Sequence, residues 1–275
     1  MVDILLEMLS YTFLLRAVIV GVVISLCAAL LGVSLVLKRC AMIGDGLSHV
    51  GFGTLAVATA LNTAPLLLSV PVVVLAAFFL LRIRENRKLN TDAAIALIST
   101  SALAVGILIL SFSTGMNTDI CNHMFGSILA MTKGDVTLSM LLGALVLSLF
   151  CLFYNKIFAV TFDEDFAAAT GVNAGLYNML IAFLTAVTIV LGMRMMGALL
   201  ISSLLVFPTI TAMQLCKTFK SVTVCAGLVS VFCFLLGVAG SYISGAPTGA
   251  SVVLVNGLLF LLICAAQWVR RWVNS

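Results

Sequence analysis

Phe13-Leu-Leu-Arg-Ala-Val-Ile-Val-Gly-Val-Val-Ile-Ser-Leu-Cys-Ala-Ala-Leu-Leu-Gly-Val-Ser-Leu-Val-Leu37 carries one charge, Arg16, and ends on Lys38-Arg39. A hydrocarbon core of about 30 Å needs about 20 consecutive apolar helical residues to cross it. This run has that length, with a basic pair at one end. Reading outward, apolar runs at 44–61, 64–83, 92–113, 137–158, 174–193, 197–215, 221–243 and 249–268 repeat the pattern. With 13–37 they predict nine membrane-spanning helices joined by short connections, in one transmembrane domain over 1–275. The stretch 114–136 leaves room for a re-entrant piece.

Composition agrees. Of 275 residues, 63% are hydrophobic and 9% charged, and the mean hydropathy is +1.28. A soluble domain is about 45–50% apolar and about 25% charged. The chain therefore reads as all-α, a polytopic helical membrane protein embedded in lipid. Its net charge of +4 comes without a long basic run or interleaved aromatics, which argues against nucleic acid as a partner. The eight cysteines form no Cys-x-x-Cys, so neither a zinc knuckle nor a redox motif is expected. No Gly-x-x-x-x-Gly-Lys-Ser/Thr occurs, so ATP hydrolysis by the P-loop route would need another chain. Asp3 and Glu7 stand where a cleaved leader carries basic residues, so the first run is expected to be a retained span.

Basic residues orient the bundle. Lys38-Arg39, Arg82-Arg84-Arg87-Lys88, Lys156, Lys217-Lys220 and Arg270-Arg271 fall in alternate gaps. Positive charge is retained on the cytoplasmic side. Placing those gaps inside leaves Arg16, Lys133 and Arg194 outside, with an outer N-terminus and a cytoplasmic C-terminus.

So few charges make each one informative. Asp45 and His49 lie in Met42-Ile-Gly-Asp-Gly-Leu-Ser-His-Val50, four residues apart and hence on one helix face. An ionisable residue within a span is a functional candidate. A carboxylate oxygen and an imidazole nitrogen suit a first-row dication such as zinc or manganese. Two copies across a two-fold axis would supply four ligands. Equally, Asp45 reads as a helix N-cap and His49 as polar glue within the bundle.

Phe162-Asp-Glu-Asp-Phe-Ala-Ala-Ala-Thr-Gly-Val172 carries start, body and stop signals for a helix too short to span. It suits either an ordinary interfacial helix or one that inserts into a groove on a partner. Ser244-Gly-Ala-Pro-Thr-Gly249 is turn chemistry. Met193-Arg-Met-Met196 reads as a flexible apolar external loop, and His123 as a solvated loop histidine.

Four of these stretches together resemble the permease subunits of bacterial ABC importers for zinc, manganese or iron. They are 42–53 with its Gly-Asp-Gly-Leu-Ser-His core, 162–172, Gly197 to Ala212 with Pro208, and 241–249 with Pro-Thr-Gly. The resemblance implies a type II ABC importer-like permease in the bacterial plasma (inner) membrane. It implies pairing with a second permease copy as a homodimer, a separate cytoplasmic ATPase, and an extracytoplasmic metal-binding protein that delivers the ion. By the same resemblance Asp45 and His49 coordinate the transported metal. The helix carrying Asp163, Glu164, Asp165, Phe166 and Gly171 couples to the ATPase. No permanently bound cofactor is implied, and the chain itself is a transport subunit rather than an enzyme. Metal binding requires an ionised Asp and a neutral His, so transport is expected to weaken on acidification. The alternative is an ion-coupled secondary transporter of metal ions or small solutes, for which Asp45 and Asp92 are the candidate coupling carboxylates.

Overall fold

The computed structural model describes residues 12–61, 63–85, 91–113 and 133–273, and these contain helices and no strand. The helices are α1 (Thr12–Leu37), α2 (Ala41–Ala60), α3 (Pro65–Glu85), α4 (Thr91–Ser113), α5 (Lys133–Leu152), α6 (Tyr154–Phe162), α7 (Glu164–Ala169), α8 (Ala174–Met196), α9 (Ala198–Leu215), α10 (Phe219–Ser244) and α11 (Thr248–Val273). Eight of them, all but α2, α6 and α7, are long and apolar enough to cross a membrane.

Helix α2 corresponds to the second expected span. Its 20 residues reach about 30 Å at the helical rise of about 1.5 Å per residue. It is less apolar than its neighbours because it holds Asp45, Ser48, His49 and four glycines. Packing tolerates this. Every residue from Ile43 to Ala60 is at least partly buried, with α1, α3, α4, α8 and α9 packed around the helix.

The fifth span differs from its expected 137–158. Helix α5 ends at Leu152, Phe153 (φ −99°, ψ 13°) interrupts the ladder, and α6 follows as a separate helix. Aromatic contacts anchor the chain at the break. Phe153 meets Tyr177 of α8 at 5.7 Å, and Tyr154 and Phe158 meet Phe219 of α10 at 5.5 and 5.1 Å between ring centroids. The apolar run continues straight through the break, so hydropathy does not register it.

Helices α1 and α8 form the centre of the bundle. In lipid, helices associate by close packing rather than by hydrophobic expulsion, and small residues permit that approach. A Cβ on Gly32 of α1 would lie 2.0 Å from the Leu205 carbonyl oxygen of α9. One on Gly53 of α2 would lie 2.6 Å from the Ala102 carbonyl oxygen of α4. Gly46 faces Ile95 as Gly53 faces Ala102, so α2 and α4 run parallel.

The same complementarity corrects the reading of Met193 to Met196 as an external loop. These residues form the last turn of α8, and Met193 and Met196 are buried. Their Cε atoms fill the gaps over Gly51 and Gly21. A single residue, Gly197, then reverses the chain into α9. Its φ of 89° and ψ of 157° belong to a region that side chains avoid.

Two ion pairs secure opposite ends of the bundle. Lys38, just beyond α1, bonds Glu164 of α7 at 2.9 Å and also Asn178 in the second turn of α8. At the other end of α8, Arg194 bonds Asp135 of α5 at 3.0 Å.

Candidate functional site

Helix α2 begins at Ala41 after Cys40, which makes no side-chain cap. Asp45 therefore lies in the second turn, and the N-cap reading of this residue fails on register. One turn further, His49 Nε2 stands 3.6 Å from Asp45 Oδ2. That is an electrostatic contact, longer than a hydrogen bond. His49 Nδ1 is buried without a hydrogen-bond partner. The Ser48 hydroxyl donates to the Asp45 carbonyl at 2.7 Å, turning away from the pair.

The two side chains open onto a cavity of about 150 Å³ between α2, α4 and α9. Phe52 and Leu103 form its apolar wall, and Ala198, Leu199 and Ser202 from the first turns of α9 form its opposite side. The Asp45 side chain is 48% exposed and that of His49 25%. A carboxylate and an imidazole thus converge on an otherwise apolar cavity that is open on one side. Ser202 is a residue that sequence reading missed. Nothing marks a serine in an apolar run until α9 is placed against α2.

Among the described residues no cluster of three or more His, Cys, Asp or Glu side chains forms within this one chain. Asp92 and Asp135 fall in the first turns of α4 and α5. Among the described residues Asp45 is consequently the carboxylate set inside a long helix rather than at its end. His123 lies outside the described residues, as does 114–132 of the stretch considered for a re-entrant piece.

The 162–172 segment forms helix α7 as expected. The Asp163 side chain accepts the Phe166 amide at 2.9 Å, capping the first turn. At the other end Gly171 takes φ 81°, and the Val172 amide donates to the Ala167 carbonyl at 2.9 Å. Ala167 is fully buried against Val160 and Val172, which seats α7 on α6 and α8. Asp163, Asp165, Phe166 and Gly171 face outward, and Glu164 turns toward Lys38. Phe158, Phe162 and Phe166 are 41%, 60% and 63% exposed, so an apolar aromatic surface flanks the acidic turn.

Between α10 and α11, Gly245, Ala246 and Pro247 form the turn expected within Ser244 to Gly249. Gly245 takes φ 67°, and the Ser241 hydroxyl bonds the Ala246 carbonyl at 2.6 Å. It lies in a different part of the chain from the Asp45 cavity, whose lining comes from α2, α4 and α9.

Known proteins resemble this chain over most of its length. The zinc uptake membrane protein ZnuB of Haemophilus influenzae is 29% identical over 252 residues, covering 92% of this chain and 97% of that protein. The manganese transport membrane protein MntC of Halalkalibacterium halodurans is 27% identical over 256 residues, covering 93% and 88%. Among solved structures, PsaBC from Streptococcus pneumoniae in complex with Fab superposes with a TM-score of 0.86. It is 28% identical, and the match covers 96% of this chain and 95% of that one. The family model described as the ABC 3 transport family matches residues 10–267. With that match across nearly its whole length, and with the all-helical permease architecture described above, the chain belongs to the ABC 3 transport family.

Proposed function

We infer that this chain is the membrane permease subunit of an ATP-driven importer that moves a divalent transition-metal ion into the cytoplasm by alternating access. The observation that carries the reading is the Asp45–His49 pair, set on one face of a shielded helix and opening into the α2–α4–α9 cavity. The zinc and manganese transport systems named for its relatives support it.

In this reading the metal is the substrate. Asp45 and His49 replace part of its hydration shell where a bare dication would be prohibitive. One copy offers two ligands. A second copy across the open side of the cavity completes a set of two carboxylates and two imidazoles, acceptable to tetrahedral zinc. Zinc is favoured, since manganese prefers more oxygen ligands than this pair supplies, and manganese and iron are the alternatives. An extracytoplasmic metal-binding protein loads the outer face. A cytoplasmic ATPase grips α7 through its outward acidic turn and aromatic rim. In this reading the N-terminus lies outside and the C-terminus in the cytoplasm of a bacterial inner-membrane protein, and the alternation of basic residues between spans supports it.

The test is uptake of radioactive zinc, manganese and ferrous iron by vesicles holding the permease with its ATPase and binding protein. ATP-dependent accumulation of one metal is expected. Uptake by the permease alone, without ATP, would return the chain to the secondary-transporter alternative.

A further inference from the structure

The C-terminal end of α1 and the start of α2 are joined by three residues, Lys38, Arg39 and Cys40, with Arg39 in the left-handed region at φ 57°. This connection begins seven residues before Asp45. Its Lys38 does not reach into water as a lysine at a helix end ordinarily does. Only 5% of its side chain is exposed. The ammonium turns inward to Glu164 of α7 at 2.9 Å and to the Asn178 side-chain oxygen of α8. Beside the stem is a cavity of about 20 Å³, bordered by Leu35, Ile43, Leu81 and Ile181.

Lys38 is buried while Glu164 is 43% exposed, so loss of the carboxylate would leave a buried ammonium short of compensating charge, and the ammonium holds the elements it joins in one arrangement. Here those elements are α7, the turn that starts the metal-site helix, and the first turns of the central helix α8. The rest of the α7 seat is apolar, through Ala167. An apolar contact is non-directional and lets a helix slide. The charge pair has a defined geometry and resists that.

We propose that Lys38 is a positioning residue that ties α7 to the Asp45–His49 helix, so that movement of α7 by the ATPase is transmitted through the Lys38–Glu164 pair to the metal site. This rests on the function proposed above, and deepens it by naming the transmitting contact.

The experiment uses the full transporter reconstituted in vesicles, with the transported metal and ATP, and measures metal accumulated per ATP hydrolysed. Lys38→Met alone removes the cation beside Glu164 and is prone to misfolding. The decisive variant is therefore Lys38→Met with Glu164→Gln, which removes both charges of the pair together. The tie predicts that this double variant assembles with its ATPase and hydrolyses ATP, while metal moved per ATP falls about tenfold, within the range of energetic coupling between distant sites. The reversed pair, Lys38→Glu with Glu164→Lys, recovers a substantial part of that ratio. A purely structural role would lower assembly and leave the ratio of the assembled fraction unchanged. If the double-neutral variant couples as well as wild type, the tie is wrong while the importer reading stands. If wild-type uptake needs no ATPase, the importer reading fails and the tie fails with it.

Discussion

Asp45 and His49 are separated by 3.6 Å within one helix, and each keeps valence to spare. The carboxylate is half-exposed toward the cavity, and the imidazole leaves its buried Nδ1 unbonded. A pair kept solely for stability would be expected to close to hydrogen-bond distance. Replacing Asp45 by Asn retains the shape and removes the charge. The expected outcome is loss of metal uptake with unchanged assembly, read by radioisotope accumulation alongside size-exclusion profiles of the complex. In the wild type, uptake should decline as the medium is acidified, because protons and metal compete for the same lone pairs. Normal transport by Asp45→Asn moves the metal path elsewhere. Reading residues one at a time found this pair, since an acid and a histidine four apart in a nonpolar run stand out. It did not find Ser202 or the second role of Lys38, which was visible only as a topology marker.

At the scale of the element, two short features decide how the helices are used. Gly197 turns α8 into α9 in one residue, and so brings Ala198, Leu199 and Ser202 against the Asp45–His49 face of α2. Alanine there meets a backbone region that costs about 1–3 kcal/mol for a side chain. Thermal unfolding of the purified Gly197→Ala variant should show a destabilisation of that order, whereas an unchanged melting temperature would mean that the turn relaxes freely. Helix α7 is the second feature. Among the described residues Phe166 contributes to no buried apolar cluster, and it is well exposed, so Phe166→Ala should leave the permease folded while reducing the ATPase recovered with it. Full recovery of the ATPase would remove the aromatic rim from the docking surface. The sequence announced α7 through its Asp163 cap and Gly171 stop. It concealed the end of α5, because Phe153 is as apolar as the residues around it.

For the molecule as a whole, the cavity beside Asp45 is lined by three helices and open on the fourth side. Leu199, 39% exposed, stands at its rim. If a second copy closes that side, Leu199→Cys, in a background whose native cysteines are replaced by serine or alanine, should cross-link two permeases under mild oxidation, yielding a band at twice the mass of the 29.0 kDa chain on non-reducing gels. A reducible band at another mass, or none, would place the partner copy on a different face. Two clasps, Lys38 with Glu164 and Asn178, and Arg194 with Asp135, hold opposite ends of α8 to its neighbours.

By itself the sequence determined that this is a polytopic helical membrane protein, where most of its spans lie, and which acid–histidine pair interrupts them. Each is a local property: transfer of a segment into lipid depends on its own residues, and a pair four apart shares a helix face wherever the helix goes. Tertiary structure alone decided that α2 can be polar because five helices shield it. It also decided that Met193 and Met196 fill glycine gaps rather than forming a loop, and that Lys38 reaches Glu164 across 126 residues of chain. Lipid supplies no hydrophobic force that selects one helix neighbour over another. Those contacts are chosen by steric fit between glycines and side chains, and by the need of each buried charge for its partner.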